Sequence, residues 1–197
     1  METKLSANPI FLQGKKTILR PLNKETDLEL CWRWLNDQKI IHFLLYPFPK
    51  SKRDIKKWFF EGLPKKKELI FAIETKKSHR LIGIISLHKI NWQQRIVTTE
   101  TLIGDKTYWG KGFGTDAKMT LLNYAFNTLG LRKIGSAVID YNERSLQYNL
   151  HCGYKEEGRL KKQILKNGEY RDIVLLGLFK EDWEPIWKVY QKTGKVK

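Results

Sequence analysis

Trp109-Gly110-Lys111-Gly112-Phe113-Gly114-Thr115 holds three near-alternate glycines, and such a run can bring several backbone amides close to one ligand. If a helix follows, its positive dipole end and unpaired N–H groups face the same turn, and Lys111 adds a cation. That is a nest for phosphate or pyrophosphate. It is not a nucleoside-triphosphate loop, because G-x-x-x-x-G-K-[S/T] is absent, and the spacing is not the dinucleotide-binding G-x-G-x-x-G. Metal chemistry has less footing. Cys31 and Cys152 form no C-x-x-C pair and are expected as reduced thiols, and His42, His79, His88 and His151 share no ligand spacing, so no metal site is expected.

The elements that must hold this turn can be read from periodicity. After an arm over 1–14, Thr17 to Leu22 reads as a short strand, and Leu28, Cys31, Trp32 and Leu35 recur at helical spacing over Asp27 to Asp37. Ser51 is a candidate N-cap for a second helix through Phe60. Leu69 to Glu74 and Leu81 to Leu87 form a hairpin around Lys76 to His79, and Arg95 to Gly104 extends the meander into the glycine turn. Thr115 to Leu129 puts Ala117, Leu121, Leu122, Ala125 and Phe126 on one helical face and stops at Gly130. A strand (Lys133 to Asp140), a short helix (Arg144 to Cys152) and a hairpin (Tyr154 to Leu165, Tyr170 to Phe179) joined by Lys166-Asn167-Gly168 follow. Trp183, Ile186, Trp187 and Tyr190 mark a last helix. The reading is a mixed α/β sheet: an arm over 1–14, one domain over 15–183, and a C-terminal helix with a basic tail over 184–197.

A chain of 197 residues suits one domain, and no apolar run approaches the ~18 residues of a membrane span. No membrane partner is expected, and the N-terminus lacks the basic-then-apolar order of a secretory signal, which favours the cytoplasm. The formal charge of +16 attracts nucleic acid, phosphorylated ligands and acidic partners without choosing among them. Its lysines cluster at Lys50 to Lys57, Lys65 to Lys67, Lys161-Lys162 and Lys188 to Lys197, with no continuous stripe, as a solvated surface also would.

Gly112-Phe113-Gly114 resembles the acetyl-CoA loop of the GNAT superfamily of N-acetyltransferases, whose pattern is Gln or Arg, two residues, Gly, any residue, Gly or Ala. Trp109 stands at the Gln/Arg place. The likeness continues through Asn142-Glu143-Arg144-Ser145, Cys152-Gly153-Tyr154, Glu157-Gly158-Arg159 and Asn167 to Asp172, covering roughly residues 15–183. Within the superfamily it is similar to the ribosomal-protein N-terminal acetyltransferase branch. The resemblance implies a mixed, mostly antiparallel sheet flanked by helices, acetyl-CoA as co-substrate, and direct attack of a primary amine on the thioester.

It also implies site residues. Trp109, Gly110, Lys111, Gly112, Phe113, Gly114 and Thr115 would hold the pyrophosphate, and Leu102, Ile103 and Gly104 would offer main-chain groups to the pantetheine. Asn142 would hydrogen-bond the pantetheine, and Ser145 would cap the short helix beside it. Glu100 matches a carboxylate that draws the amine proton, although a solvent-facing strand glutamate fits the position equally. Counting from Asn142 puts Asn149 where relatives carry the tyrosine that protonates the thiolate; an amide can hydrogen-bond sulfur but is no acid. Tyr148 points about 100° away on a helix, and Tyr154 and Cys152 are the other donors nearby. His42, Phe43, Tyr46 and Phe48, within 38–66, would sit beside the acceptor, and Arg171 and Asp172 would either approach it or form surface ion pairs.

The branch takes acceptors as different as protein N-termini, polyamines, aminoglycosides and nucleotide-linked amino sugars. A +16 chain supplies an acidic pocket for a polycation less readily than it attracts an anion, which favours a protein N-terminus or a phosphorylated amino sugar. The competing reading is a nucleic-acid or ribosome-binding module without catalysis. It draws on the charge and the missing tyrosine, but nucleic acid is not favoured, since no RNP-type motif or zinc finger is present. A homodimer remains open.

Overall fold

The computed structural model describes residues 8–45, 48–61 and 67–196; residues 1–7 of the expected arm, Tyr46, Lys65, Lys66 and Lys197 lie outside them. In chain order the elements are β1 (Leu12–Gln13), β2 (Thr17–Pro21), α1 (Lys24–Trp34), α2 (Gln38–Ile41), α3 (Lys52–Lys56), β3 (Leu69–Thr75), β4 (Leu81–Asn91), β5 (Ile96–Ile103), α4 (Phe113–Asn123), β6 (Lys133–Ile139), α5 (Glu143–His151), β7 (Lys155–Lys166), β8 (Glu169–Phe179) and α6 (Lys180–Thr193). The strands form one mixed sheet in the order β1-β2-β3-β4-β5-β6-β8-β7, antiparallel throughout except for β5 beside β6.

Strand alternation decides what each face of the sheet covers. Along β5, Val97 and Ile103 join Ala117, Leu121 and Leu122 of α4 in the main core, while Leu102 turns the other way to pack with Trp34 of α1. Trp183 and Tyr190 of α6 are buried on the α4 face, with the Trp183 ring 5.1 Å from Phe126. The apolar spacing of the last helix therefore serves the core. Asn167 and Gly168 both have positive φ, 51° and 82°, the geometry a two-residue hairpin turn requires between β7 and β8.

Several boundaries differ from the sequence reading, each for a local reason. β1 pairs Leu12 with Leu19, so the last part of the 1–14 arm belongs to the sheet. α1 starts at Lys24 because Asn23 caps it, its side chain accepting the Glu25 N–H at 2.9 Å. Asp27 is instead buried against Arg20, whose guanidinium donates to Asp27 at 2.6 and 2.9 Å and to Glu74 at 2.5 Å, fastening α1 to β2 and β3. Ser51 caps α3 in a full capping box with Asp54. α4 begins at Phe113, ahead of Thr115, because Gly112 at φ +79° turns the chain straight into the helix. α6 begins at Lys180, inside the stretch assigned to 15–183.

Candidate functional site

β5 and β6 are paired only over Ile96–Thr98 and Lys133–Gly135, after which β6 continues beside β8 alone. A cavity of about 670 Å³ opens where they part, walled by Thr99 to Ile103 and Ser136 to Ile139. Because it passes between strands, it reaches both faces of the sheet. The glycine turn and α5 line it on the α4 face, and Leu35, Ile40, Phe43, Leu44, Trp58 and Phe59 line it on the face of α1 to α3.

Gly110 and Gly112, at φ +70° and +79°, hold the left-handed conformation that side chains disfavour. Gly112 caps α4 without a side chain, and the first N–H to find a main-chain acceptor is that of Asp116, 3.0 Å from Gly112 O. The N–H groups of Phe113, Gly114 and Thr115 are thus left for a ligand at the positive helix end, an arrangement suited to phosphate. Trp109, Gly110, Gly112, Gly114 and Thr115 line the cavity; Lys111 and Phe113 do not. A cation also comes from a distant part of the chain: Lys16 Nζ donates to Lys111 O at 3.0 Å and lies 5.8 Å over the Phe113 ring. Asp116 draws that segment in, accepting the N–H groups of Lys15, Lys16 and Thr17. The sequence reading missed Lys16 because nothing in spacing links it to the turn.

The main chain of β5 divides the predicted trio of Leu102, Ile103 and Gly104. Gly104 N–H donates to Ile82 O at 2.9 Å, so by alternation the main-chain groups of Leu102 also face β4, and those of Thr101 and Ile103 face the open edge. Gly104 is off the cavity wall, and its glycine is required because a Cβ there would run into the Trp34 ring. The carbonyl of Ile103 already accepts the Trp109 indole N–H at 2.6 Å. Trp109 therefore braces this edge, and the Arg144 guanidinium covers its ring at 3.8 Å. Thr101, passed over in the sequence, joins Ile103 on the edge.

On the α1 to α3 face, Glu100 lines the cavity with its side chain 58% exposed, 3.4 Å from His88 Nε2. His88 is half-buried, with Nε2 at 2.6 Å from Ser86 Oγ and Nδ1 at 3.4 Å from Glu68. Facing His88 holds the Glu100 carboxyl below the ordinary glutamate range. Burial pulls the His88 pKa down, but its contact with Glu100 and the charges of both glutamates outweigh that and raise it. Glu100 is thus ionised and steered, and His88 is a partner that cross-strand register supplies and sequence spacing did not.

On the opposite face, α5 and its N-cap bring Asn142, Ser145, Tyr148 and Asn149 to the cavity, among others, in arrangements the sequence only partly anticipated. Asn142, not Ser145, is the N-cap: its Oδ1 accepts the Ser145 N–H at 3.1 Å, which commits that oxygen to the helix and leaves the amide N–H groups as donors. Asn149, 2% exposed, donates back to Ser145 O at 2.8 Å, and its buried Oδ1 has no hydrogen-bond partner among the described residues. Tyr148 also reaches the cavity wall, because its Oη donates toward Thr101 Oγ1 at 3.1 Å and Gly114 O at 3.2 Å across the parted strands. Burial pushes this phenol well above its usual pKa. Cys152 is raised to about 12 by burial, and Tyr154 is raised likewise, its hydroxyl 3.0 Å from Thr99 Oγ1.

Of the acceptor-side candidates, Phe43 and Phe48 line the cavity, whereas His42 lies outside it with its ring 4.9 Å from Tyr141; Tyr46 is outside the described residues. Arg171 and Asp172 do not meet each other. Arg171 pairs with Asp140 at 3.2 Å and Glu169 at 3.1 Å, and Asp172 pairs with Lys161 at 2.9 Å, all away from the cavity. Arg144 is a further residue the sequence reading passed over, set between Trp109 and Phe43, where burial lowers its pKa.

The GNAT acetyltransferase domain model matches residues 16–155. YdaF of Bacillus subtilis, provisionally named a ribosomal N-acetyltransferase, is 34% identical over 104 residues, 53% of this chain and 56% of YdaF. A spermidine N(1)-acetyltransferase of Vibrio cholerae is 26% identical over 147 residues, 75% of this chain and 84% of the relative. The crystal structure of a spermidine N-acetyltransferase from Vibrio cholerae, in complex with CoA and spermine, superposes with a TM-score of 0.78 at 25% identity, covering 85% of this chain and 98% of that one.

Proposed function

The chain belongs to the GNAT acetyltransferase family and is an acyltransferase with acetyl-CoA as co-substrate, and from that premise we propose that its acceptor is the α-amino group of a peptide or protein with an apolar N-terminal side chain. The observation that carries this is the acceptor half of the cavity. Leu35, Ile40, Phe43, Leu44, Trp58 and Phe59 wall it, and Glu100 is the one carboxylate among the described lining residues. A polyamine brings several charges that each need an acidic partner, and a phosphorylated sugar needs polar walls; an apolar peptide end needs neither. The name of YdaF supports the protein-acceptor reading, and the spermidine enzymes support a small amine.

Chemistry points the same way. An α-amine has a pKa of about 7.8 against about 10.4 for an alkyl ammonium, so at neutral pH roughly 400-fold more of it is the neutral nucleophile. A carboxylate held acidic by His88 is a weak base, adequate for an amine that deprotonates easily. In this reading the free N–H groups at the start of α4 hold the pyrophosphate, with Lys16 beside them. The Thr101 and Ile103 edge and the Asn142 amide meet the pantetheine, and Glu100 takes the amine proton.

The test is a panel of acceptors assayed by release of the CoA thiol: peptides beginning with Phe, Leu or Asp, together with spermidine and glucosamine 6-phosphate. Turnover highest with the Phe and Leu peptides is expected. Turnover confined to spermidine would refute the assignment.

A further inference from the structure

Lys118 occupies a position where the core should be apolar. It lies within α4, 1% exposed, one helical turn before Leu121 and Leu122, and it forms no salt bridge among the described residues. Of its three N–H donors, one is committed to Thr99 Oγ1 at 2.7 Å; the rings of Tyr148 and Tyr154 lie 5.4 and 5.1 Å from Nζ. Nothing in the packing requires an ammonium there, since a methionine would fill the same space without desolvating a charge.

Its location gives it a use. Thr99 is the first β5 residue past the last pair with β6, so Lys118 Nζ stands where the strands part, on the cavity wall. Thr99 and Glu100 are neighbours on one strand and point to opposite faces. The carboxylate therefore lies on the acceptor side and the ammonium on the side of α4 and α5, the two flanks that attack and departure need at a thioester between them. Among the described residues, the other proton donors on the ammonium side are less suited: His151, also on the cavity lining, is exposed to solvent on α5. Asn149 has no acidic proton, and the phenols of Tyr148 and Tyr154 and the thiol of Cys152 are all pushed upward by burial.

We propose that Lys118 Nζ is the proton donor to the departing CoA thiolate. The amine nitrogen bonds to the acetyl carbon, the carbon–sulfur bond breaks with its electron pair on sulfur, and sulfur takes a proton from Lys118, leaving a neutral lysine. The proton lost by the amine goes to Glu100 or water on the other face, and Lys118 recovers its own from solvent after CoA leaves. The titratable groups facing Lys118 are Tyr148 of α5 and Cys152 and Tyr154 beyond α5, and the charge of Glu100 acts on it from the other face of β5. Desolvation brings the lysine down to about 8, against the opposing pull of Cys152 and Glu100, close to the ~8.5 of an ordinary thiol, so the transfer is nearly balanced.

The inference rests on the proposed cofactor site, and two measurements separate the two. CoA is titrated on the wild-type protein while the ultraviolet absorbance of its thiolate is followed against pH, and the same is done with Lys118→Met, whose fold is checked by circular dichroism. The ammonium should lower the thiol pKa of bound CoA by about one pH unit or more relative to free CoA, and Lys118→Met should restore it. The variant should also lose about 100-fold in kcat with little change in KM for acetyl-CoA. Bound CoA that titrates like free CoA overturns the Lys118 assignment from the wild type alone. A variant with unchanged kcat does so as well, and failure of the wild type to bind CoA overturns the cofactor site with it.

Discussion

Asp116 offers the sharpest test of how the phosphate end of the site is held. Its carboxylate is 2% exposed and accepts five donors: Lys15 N–H at 2.9 Å and the Tyr190 hydroxyl on Oδ1, and Lys16 N–H at 3.0 Å, Thr17 N–H at 2.7 Å and Thr17 Oγ1 at 2.6 Å on Oδ2. Asp116→Asn keeps the shape but turns one oxygen into a donor. The least costly orientation puts Nδ2 toward Tyr190, whose hydroxyl can rotate to accept, and leaves the Lys15 N–H facing another donor. A hydrogen bond to a charged group contributes about 1 kcal/mol more than a neutral one, so four weakened bonds cost about 4 kcal/mol and the lost one adds about 2 kcal/mol, about 6 kcal/mol in all. That is slightly above the range for breaking a single buried charge pair, as five donors on one carboxylate require, and it converts to a fall in melting temperature of about 15 °C for a chain of this size. Tyr190→Phe removes one donor only and should cost about a third as much. Thermal unfolding followed by circular dichroism, with and without CoA, measures both. Asp116→Asn should also respond less to CoA, because residues 15–17 and the start of α4 are no longer drawn together. A variant melting within 1 °C of wild type, or no lower than Tyr190→Phe, would refute this account.

Two further outcomes follow from buried groups. The Lys118 pKa in the fold, about 8, lies below its unfolded value of about 10.4, so the unfolded chain binds that proton more tightly; the penalty of about 3 kcal/mol is full below pH 8 and fades as pH rises toward 10.5. Lys118→Met should therefore be more resistant to urea than wild type at pH 7, with the gap closing by pH 10, and a gap independent of pH would contradict the burial argument. Gly104→Ala forces a methyl into the Trp34 ring and should destabilise the protein by about 1 to 3 kcal/mol, with CoA affinity nearly unchanged because residue 104 is off the cavity wall. A selective loss of CoA binding in calorimetry would return Gly104 to the site.

Elements were legible wherever one residue type answers one local demand. The glycine turn announced itself because Gly110 and Gly112 occupy backbone conformations other residues avoid, Gly130 ends its helix at φ +66°, and Asn167-Gly168 has the positive φ pair of a tight hairpin. Glu100 could be named because the resemblance implies a carboxylate at that place on the strand. What sequence could not give was register. His88 meets Glu100 only because β4 and β5 pair Ser86 with Glu100, and Leu102 and Gly104 turn their main chains to β4 for the same reason. Lys16 reaches the nest through Asp116, about a hundred residues away in sequence. The spacing of Leu28, Cys31, Trp32 and Leu35 starts the helix at Asp27, but Asp27 lies inside α1 as the partner of Arg20, a contact that apolar periodicity does not register.

Lys118 did carry a signal in the sequence, a charge three and four residues before Leu121 and Leu122 and seven before Ala125, on the stripe that should be apolar. Taken alone, a lysine there reads as a fault in the pattern, and an amide at 149 in place of a tyrosine reads as a lost function. The structure sets both on the wall of one cavity, Asn149 on α5 and Lys118 across from it on α4, with Tyr148 between the parted strands. A buried charge persists at a stability cost only where something is gained from it, and a site short of an acid is where a lysine desolvated to about 8 has most to contribute. The two departures meet at one place: Asn149, where the resemblance implies a tyrosine, and Lys118, where the helical stripe implies an apolar residue, line the same cavity on the flank opposite Glu100. Restoring a tyrosine with Asn149→Tyr in the Lys118→Met background should then recover part of the lost kcat. No recovery from a folded double variant would show that the two positions are independent.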